Sequence, residues 1–344
     1  MLAARMYGAN DLRVEEIPVP EVGDGEVLIK IKAAAVCGTD VRMLSFGASG
    51  IDESNPRVLG HEFAGIIDKV GKNVKGYKVG DRVAVAPNFG CGICSQCIKG
   101  NGHLCADYRA TGINTDGGFA EYCLIPEDAV RGGNICLLQD DVSFEEGAIN
   151  EPLSCVYNGF EHASVHPGDV VLVVGAGPIG IMHCNLALMA GAVVCLNDVS
   201  EERLENAKKI FPKLNVVSGN PEETVMKLSG NAGADVVITA CPVPSVQVQA
   251  LELAGIGGRV IFFGGIPAGK EPVGINTNLI HYKQLIVSGT TRASLSQYRK
   301  TLDFVSKKVL DVKPLITNYF TLSEIDKAFD YAKRGVGYKN VIKL

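Results

Sequence analysis

Four cysteines, Cys91, Cys94, Cys97 and Cys105, fall inside the stretch CGICSQCIKGNGHLC, with two, two and seven residues between them. Thiolates crowded in this way can close a tetrahedron around Zn²⁺ and leave no position for water, which makes a structural clamp rather than a reactive centre. Free or redox-active thiols are the alternative, and the successive C-x-x-C spacings speak against it. A second set is dispersed: Cys37 in AVCGTD, His61 and Glu62 in LGHEFAG, and Glu151 in NEPLSC. Each of these segments carries a glycine or proline that interrupts an apolar run. Taken singly, a buried cysteine or a solvated His-Glu pair is the ordinary explanation. Together, a sulfur, an imidazole and carboxylates suit a zinc ion that keeps one position for water or substrate. On a regular strand His61 and Glu62 would point to opposite faces, so both reach one ion only where the backbone bends.

A third stretch, VVLVVGAGPIG, sets Gly175, Gly177 and Gly180 in G-x-G-x-x-G spacing, with Pro178 and Ile179 between the last two. The first glycine permits the turn, the second lets a pyrophosphate approach the backbone, and the third lets helix pack on strand. The next apolar run ends at Asp198, eighteen residues past Gly180, where a carboxylate can accept hydrogen bonds from adenosine ribose hydroxyls and repel a 2′-phosphate. NAD is therefore expected rather than NADP. Arg203, five residues on, either rests on the adenine and ribose or would bind that phosphate. The plain alternative is a tight strand-to-helix turn with Asp198 as a cap.

These residues need elements to position them. EVLIKIKAAAV alternates apolar and charged side chains around Ile29, Lys30, Ile31 and Lys32, the period of a strand with one wet face. The β-rich character runs to about residue 150. After Pro167 and Gly168 the pattern changes to short apolar runs with little alternation, DVVLVVGAG, AVVCLNDVS, ADVVITAC, GRVIFFGG and QLIVSGT, as expected of parallel strands buried on both faces. Helical stretches separate several of them, such as SEERLENAKKI with Ser200 as its cap, and alternating strand and helix implies a doubly wound sheet. Beyond residue 293 a strand-like piece and an amphipathic helix follow in VKPLITNYFTLSEIDKAFDYA.

At 344 residues, with 47% hydrophobic and 21% charged side chains and a net charge of −5, the chain is expected to form a soluble protein of two domains with no nucleic-acid partner. No apolar run approaches the roughly 18 residues a spanning helix needs, and no charged-then-apolar leader precedes MLAARMYGAN, so a cytoplasmic location without a membrane partner is expected. The eleven cysteines, several in apolar runs, fit a reducing compartment.

The stretches CGTD, GHEFAG, GDRVAV, CGICSQCIKGNGHLC, GGFAEY, NEPLSC, GAGPIG and VKPLIT, in this order over nearly the whole chain, resemble the zinc-containing medium-chain alcohol dehydrogenases, most of all the sorbitol (polyol) and threonine dehydrogenase branch. The resemblance implies an α/β fold: a GroES-like catalytic domain from residues 1–152, carrying a zinc lobe at about 88–108 and completed by 293–344, with a Rossmann NAD-binding domain at 153–292 inserted between. It implies one catalytic and one structural Zn²⁺ per chain. Cys37 and His61 would be zinc ligands, while either Glu62 or Glu151 completes the shell and the other holds the metal-bound water. Thr39 would bond the substrate oxygen and pass its proton outward. Many relatives carry a histidine where this chain has Arg42, and an arginine cannot accept a proton at neutral pH. Arg42 is thus a candidate for binding a substrate anion or the cofactor, or a solvated charge, and Arg292 lies near a substrate-contacting arginine of polyol-oxidising relatives. The expected activity is NAD-dependent oxidation of a polyol or sugar alcohol, with or without a phosphate; threonine, a diol and a cyclitol are the alternatives. Two other classes remain open, a non-catalytic zinc and nucleotide protein and a zinc-free NADPH-dependent reductase. A homodimer or homotetramer is expected from relatives.

Overall fold

The structure, a computed structural model, describes all residues from Met1 to Leu344. Contacts divide the chain into two units, Met1–Ser154 with Ala293–Leu344, and the continuous segment Cys155–Arg292.

The first unit is built on a seven-stranded sheet. Val27–Ala35 lies at its centre, paired antiparallel with Glu62–Val70 along its length, with Tyr122–Ile125 at its start and with Lys339–Lys343 at its end. Arg82–Val85 and Ile135–Leu137 extend the sheet beyond Glu62–Val70, and Ile316–Thr321 lies beyond Lys339–Lys343. The alternation of the central strand appears as Ile29 and Ile31 buried against Lys30 exposed. Its core joins both ends of the chain, because Phe63, Phe119 and Val85 pack in one cluster with Leu322, Ile325, Phe329 and Ile342. Phe119 meets Phe329 edge to face at 5.8 Å. Each such side chain stabilises the fold by about 1.5–3 kcal/mol through burial, so the C-terminal segment is part of the core.

The second unit is a six-stranded parallel sheet. Counted along the unit, the strands lie in the order third, second, first, fourth, fifth, sixth: Val170–Val174 and Ala234–Thr239 are central, and Asn215–Ser218 and Ile286–Gly289 form the edges. This is the dinucleotide-binding arrangement, with the chain reversing direction across the sheet at its first strand. Val170–Val174 is buried throughout, as a strand covered on both faces must be. The run ending in Ile286–Gly289 departs from that pattern, since an edge position leaves Ile286 60% exposed.

The helix Pro178–Met189 of this unit buries His183 completely, and neither ring nitrogen has a hydrogen-bond partner. The imidazole packs edge-on to Phe263 at 4.9 Å, as an apolar side chain would. Burial pushes its pKa down from the ordinary histidine value to about 3. Above about pH 6.5 the ring is neutral in both folded and unfolded chains and pH has no hold on it. Below that the unfolded chain takes up a proton that the folded one refuses, so stability falls by about 1.4 kcal/mol per pH unit as the pH drops toward the folded value. We expect His183→Leu to remove this part of the acid sensitivity. In melts at descending pH the variant should gain on the wild type once the pH passes below about 6.5, with little difference above it.

Candidate functional site: a zinc-ligand trio and a dinucleotide turn

Cys37 ends the connection from the central strand and caps the helix Gly38–Phe46. Its backbone N–H donates to Asp40 Oδ2 at 2.9 Å, and the other oxygen of this fully buried carboxylate lies 3.3 Å from His61 Nδ1. Asp40 thus holds the Cys37 backbone and places its second carboxylate oxygen, which has no hydrogen-bond partner of its own, beside Nδ1 of His61, leaving the other ring nitrogen for a metal. Burial opposes protonation of His61, yet the Asp40 carboxylate and Cys37 together raise its pKa well above the usual value. The backbone is irregular just before this pair, so His61 and Glu62 are not successive residues of a regular strand. Gly60 has φ +93°, with no room for a Cβ against Phe119, and the strand begins only at Glu62. The ligand atoms of Cys37, His61 and Glu62 consequently lie within 4.8 Å of one another.

Glu62 is completely buried and faces Lys339, itself 3% exposed. Lys339 Nζ lies 2.6 Å from Oε2 and 2.8 Å from Oε1, and it also donates to the Val36 carbonyl at 3.1 Å. Burial alone would lower the pKa of this ammonium. Glu62, Cys37 and Glu151 together outweigh it and hold Lys339 charged. One lysine set among a thiol and several carboxylates leaves room for more positive charge, and the sulfur, nitrogen and oxygen donors suit Zn²⁺. Glu151 stands outside the trio of ligand atoms, buried in the first turn of the helix Asn150–Ala163, where the helix dipole favours its negative charge. Thr39 is half-buried in the first turn after Cys37, and its hydroxyl makes no hydrogen bond within the protein. Arg42 is exposed on the same helix.

The four-cysteine lobe is closed at its base by Asn88–Phe89 pairing with Arg109–Ala110. Cys105 Sγ lies 3.6 Å from Cys91 Sγ and 3.7 Å from Cys94 Sγ, and all four sulfurs fall within 4.8 Å of one another. A tetrahedron with zinc–sulfur bonds of about 2.3 Å has edges of about 3.8 Å, which these two spacings already match. Backbone N–H groups of Cys97 and Gln96 help bring the Cys94 thiol down, while burial pushes the neighbouring Cys97 thiol up, so the cluster holds its protons unevenly until a cation replaces them. Burial also pushes the remote Cys123 and Cys184 thiols up, as for inert core residues.

In the second unit Gly175 adopts φ +112°, Gly177 caps the helix and Pro178 occupies its first turn. A Cβ at Gly180 would lie 1.7 Å from the Gly175 carbonyl oxygen, which is why the third glycine is obligatory. Ile179 follows Pro178 in the same turn, half-buried. Asp198 ends its strand and accepts from the Ala176 N–H at 2.6 Å and the Ser200 N–H at 2.8 Å. It therefore stitches the glycine turn to the neighbouring strand as well as presenting a carboxylate there. The Arg203 N–H donates to Ser200 Oγ at 3.3 Å, in the helix that Ser200 caps. Arg292 is exposed with φ +56°, and Asn158 Nδ2 donates to its carbonyl at 3.0 Å.

Residues 23–132 match the alcohol dehydrogenase GroES-like domain and residues 178–307 the zinc-binding dehydrogenase domain. The chain is 36% identical to an L-threonine 3-dehydrogenase of Bacillus subtilis, over 95% of this chain and 94% of that protein. This chain belongs to the zinc-containing medium-chain alcohol dehydrogenases. It is also 35% identical to a sorbitol dehydrogenase of Bombyx mori, covering 99% of this chain and 98% of that one. Galactitol-1-phosphate dehydrogenase from Escherichia coli superposes with a TM-score of 0.88 at 26% identity, over the whole of both chains. The dehydrogenase is thus an oxidoreductase of a zinc- and nicotinamide-dependent family with a GroES-like and a Rossmann part.

Two residues of the metal site escape a reading by motif. Asp40 had a local signal, an acid three residues after Cys37, where it can reach back to the N-cap. Lys339 had none, since it meets Glu62 across 277 residues of chain.

Cys94→Ser should open the lobe. Zinc content is expected to fall from about two to about one equivalent per chain, with a melting temperature lower by roughly 5 °C or more, as metal analysis and thermal melts would read. Lys339→Met strands a buried carboxylate and should destabilise by about 3–5 kcal/mol, whereas adding Glu62→Gln should restore a large part of that loss. Additive losses in the double variant would show that the two side chains do not act as a pair.

Proposed function

We propose that the dehydrogenase oxidises a secondary alcohol of the polyol or sugar-alcohol type with NAD. The observation that carries this reading is the trio of half-buried Cys37 with buried His61 and Glu62, beside the uncommitted Thr39 hydroxyl two residues beyond Cys37. A protein that only bound zinc and nucleotide would have no use for such an arrangement, because the four-cysteine lobe already supplies a closed metal site.

When bound, zinc supplies a Lewis acid for the alcohol oxygen and NAD supplies the hydride acceptor. Cys37 and His61 would hold the metal, with the Asp40 carboxylate beside the His61 ring to orient it. Lys339 balances the charge of Glu62, and either Glu62 or Glu151 would complete the metal's ligands while the other would hold a water. Thr39 would take up the alcohol proton as its own hydroxyl proton passes on, and hydride acceptance from the alcohol carbon is the chemistry NAD would supply. Arg42 cannot take the proton on, so the relay leads to water or a cofactor ribose hydroxyl. Gly175, Gly177 and Gly180 shape the pyrophosphate turn, with Pro178 and Ile179 opening the helix behind it. Asp198 favours NAD by accepting ribose hydroxyls and repelling a 2′-phosphate.

Threonine is the second substrate reading, supported by the relative from B. subtilis. We also propose that Ile286–Gly289, an exposed edge strand, pairs with a second copy. No helix of the chain is long and apolar enough to cross a membrane. We propose a reducing, cytoplasmic setting because oxidation would remove the thiolates of the four-cysteine lobe.

The test is a panel of polyols, phosphorylated polyols, threonine and diols with NAD, following NADH absorbance, on the wild type and Cys37→Ala. We expect Cys37→Ala to lose one zinc equivalent and at least about 1,000-fold in turnover while its NAD affinity stays within about threefold. Turnover near wild type in the metal-depleted variant would rule out zinc chemistry, and NAD binding without oxidation of any alcohol by the wild type would favour a non-catalytic protein.

A further inference from the structure

Every other arginine of the chain has a hydrogen bond, ion pair or comparable electrostatic partner, but Arg42 has none. It stands on the helix Gly38–Phe46, three residues after Thr39 and four before Phe46, whose side chain is 83% exposed. Residues spaced in this way share one helix face, whereas Met43 beside Arg42 turns into the core. The stripe leads away from the metal trio as a hydroxyl, a guanidinium and a phenyl ring. Successive steps rise by about 4.5 Å and about 6 Å along the axis. The helix has one carboxylate, Asp40, and it is fully buried against Cys37 and His61. Nothing on this helix neutralises the guanidinium.

From this we propose that Arg42 selects substrates bearing an anionic group, a phosphate or a carboxylate, a few ångströms from the alcohol being oxidised, with Phe46 covering the carbon chain beyond it. The inference rests on the dehydrogenase reading and narrows it from alcohols in general to anionic alcohols. A planar fork with all its donors free matches either anion bidentately, which a lysine would not. The cofactor pyrophosphate has its own donors at the glycine turn and the N-terminus of the helix Pro178–Met189, and does not require Arg42.

The experiment compares the zinc-loaded wild type with Arg42→Gln and Arg42→Lys on four substrates: a hexitol, its 1-phosphate, 2,3-butanediol and L-threonine. For Arg42→Gln we expect kcat/KM on the preferred anionic substrate to fall about 10- to 100-fold, mainly through KM, while both neutral alcohols stay within about twofold. Arg42→Lys should fall between the two proteins. Whether the loss concerns the hexitol phosphate or threonine identifies the anion as phosphate or carboxylate. Added salt should erode the wild-type preference and leave that of Arg42→Gln unchanged. Equal losses on neutral and anionic substrates, a KM for NAD raised with all four, or kinetics unchanged in both variants would each overturn the proposal. If the wild type turns over neutral alcohols without favouring anionic ones, only the Arg42 proposal fails. If it oxidises none of the four, the dehydrogenase reading falls first and this one with it.

Discussion

The buried contact between Lys339 and Glu62 governs how the first unit is put together. Taking both charges out of water costs several kcal/mol for each ion, and their attraction offsets this only with close geometry and further polar partners. Both conditions hold here. The ammonium reaches both carboxylate oxygens and a backbone carbonyl beside Cys37, and Cys37 and Glu151 add negative charge around it. A shift in the pairing of Lys339–Lys343 against Val27–Ala35 would withdraw the cation and leave Glu62 without compensation. The strand register and the charge balance of the metal site are therefore one constraint.

The same site shows how a strand sheet makes a metal centre from residues distant in sequence. Cys37 follows the central strand, Glu62 starts its antiparallel neighbour, and Lys339 starts the strand that pairs at the far end. All three converge where those strands terminate or begin, which is where backbone can bend without breaking a ladder. His61 joins them through the turn at Gly60. The four-cysteine lobe solves a different problem, since all its ligands lie in one loop and the metal replaces a core too small to hold that loop by itself.

What could be read from the sequence followed the range of the interaction. The glycine turn, the cysteine lobe and the cap at Ser200 are local, so residue types and spacing specify them. The alternation of Ile29, Lys30 and Ile31 was enough to recognise a central strand. Cys37, His61 and Glu62 were recognisable by type, but their approach depends on a bend at Gly60 and on sheet pairing. Lys339 was not legible, because GYKNVIKL gives no sign that its first lysine is buried beside an acid 277 residues earlier. The run QLIVSGT illustrates the limit from the other side. Its apolar composition suits a strand covered on both faces, yet it lies at the edge of its sheet, and composition alone does not tell edge from centre.

The insertion of the second unit also sets an order of assembly during synthesis. A ribosome completes Cys155–Arg292, an uninterrupted stretch with its whole parallel sheet, before it adds the strand that carries Lys339. Domains fold as units while the chain is being made, so the nucleotide-binding part can be native while the metal site still lacks its internal cation. Through that interval the edge of Val27–Ala35 that Lys339–Lys343 later covers is unpaired, and Glu62 has no cation beside it. The last strand thus supplies backbone pairing and charge compensation in one step.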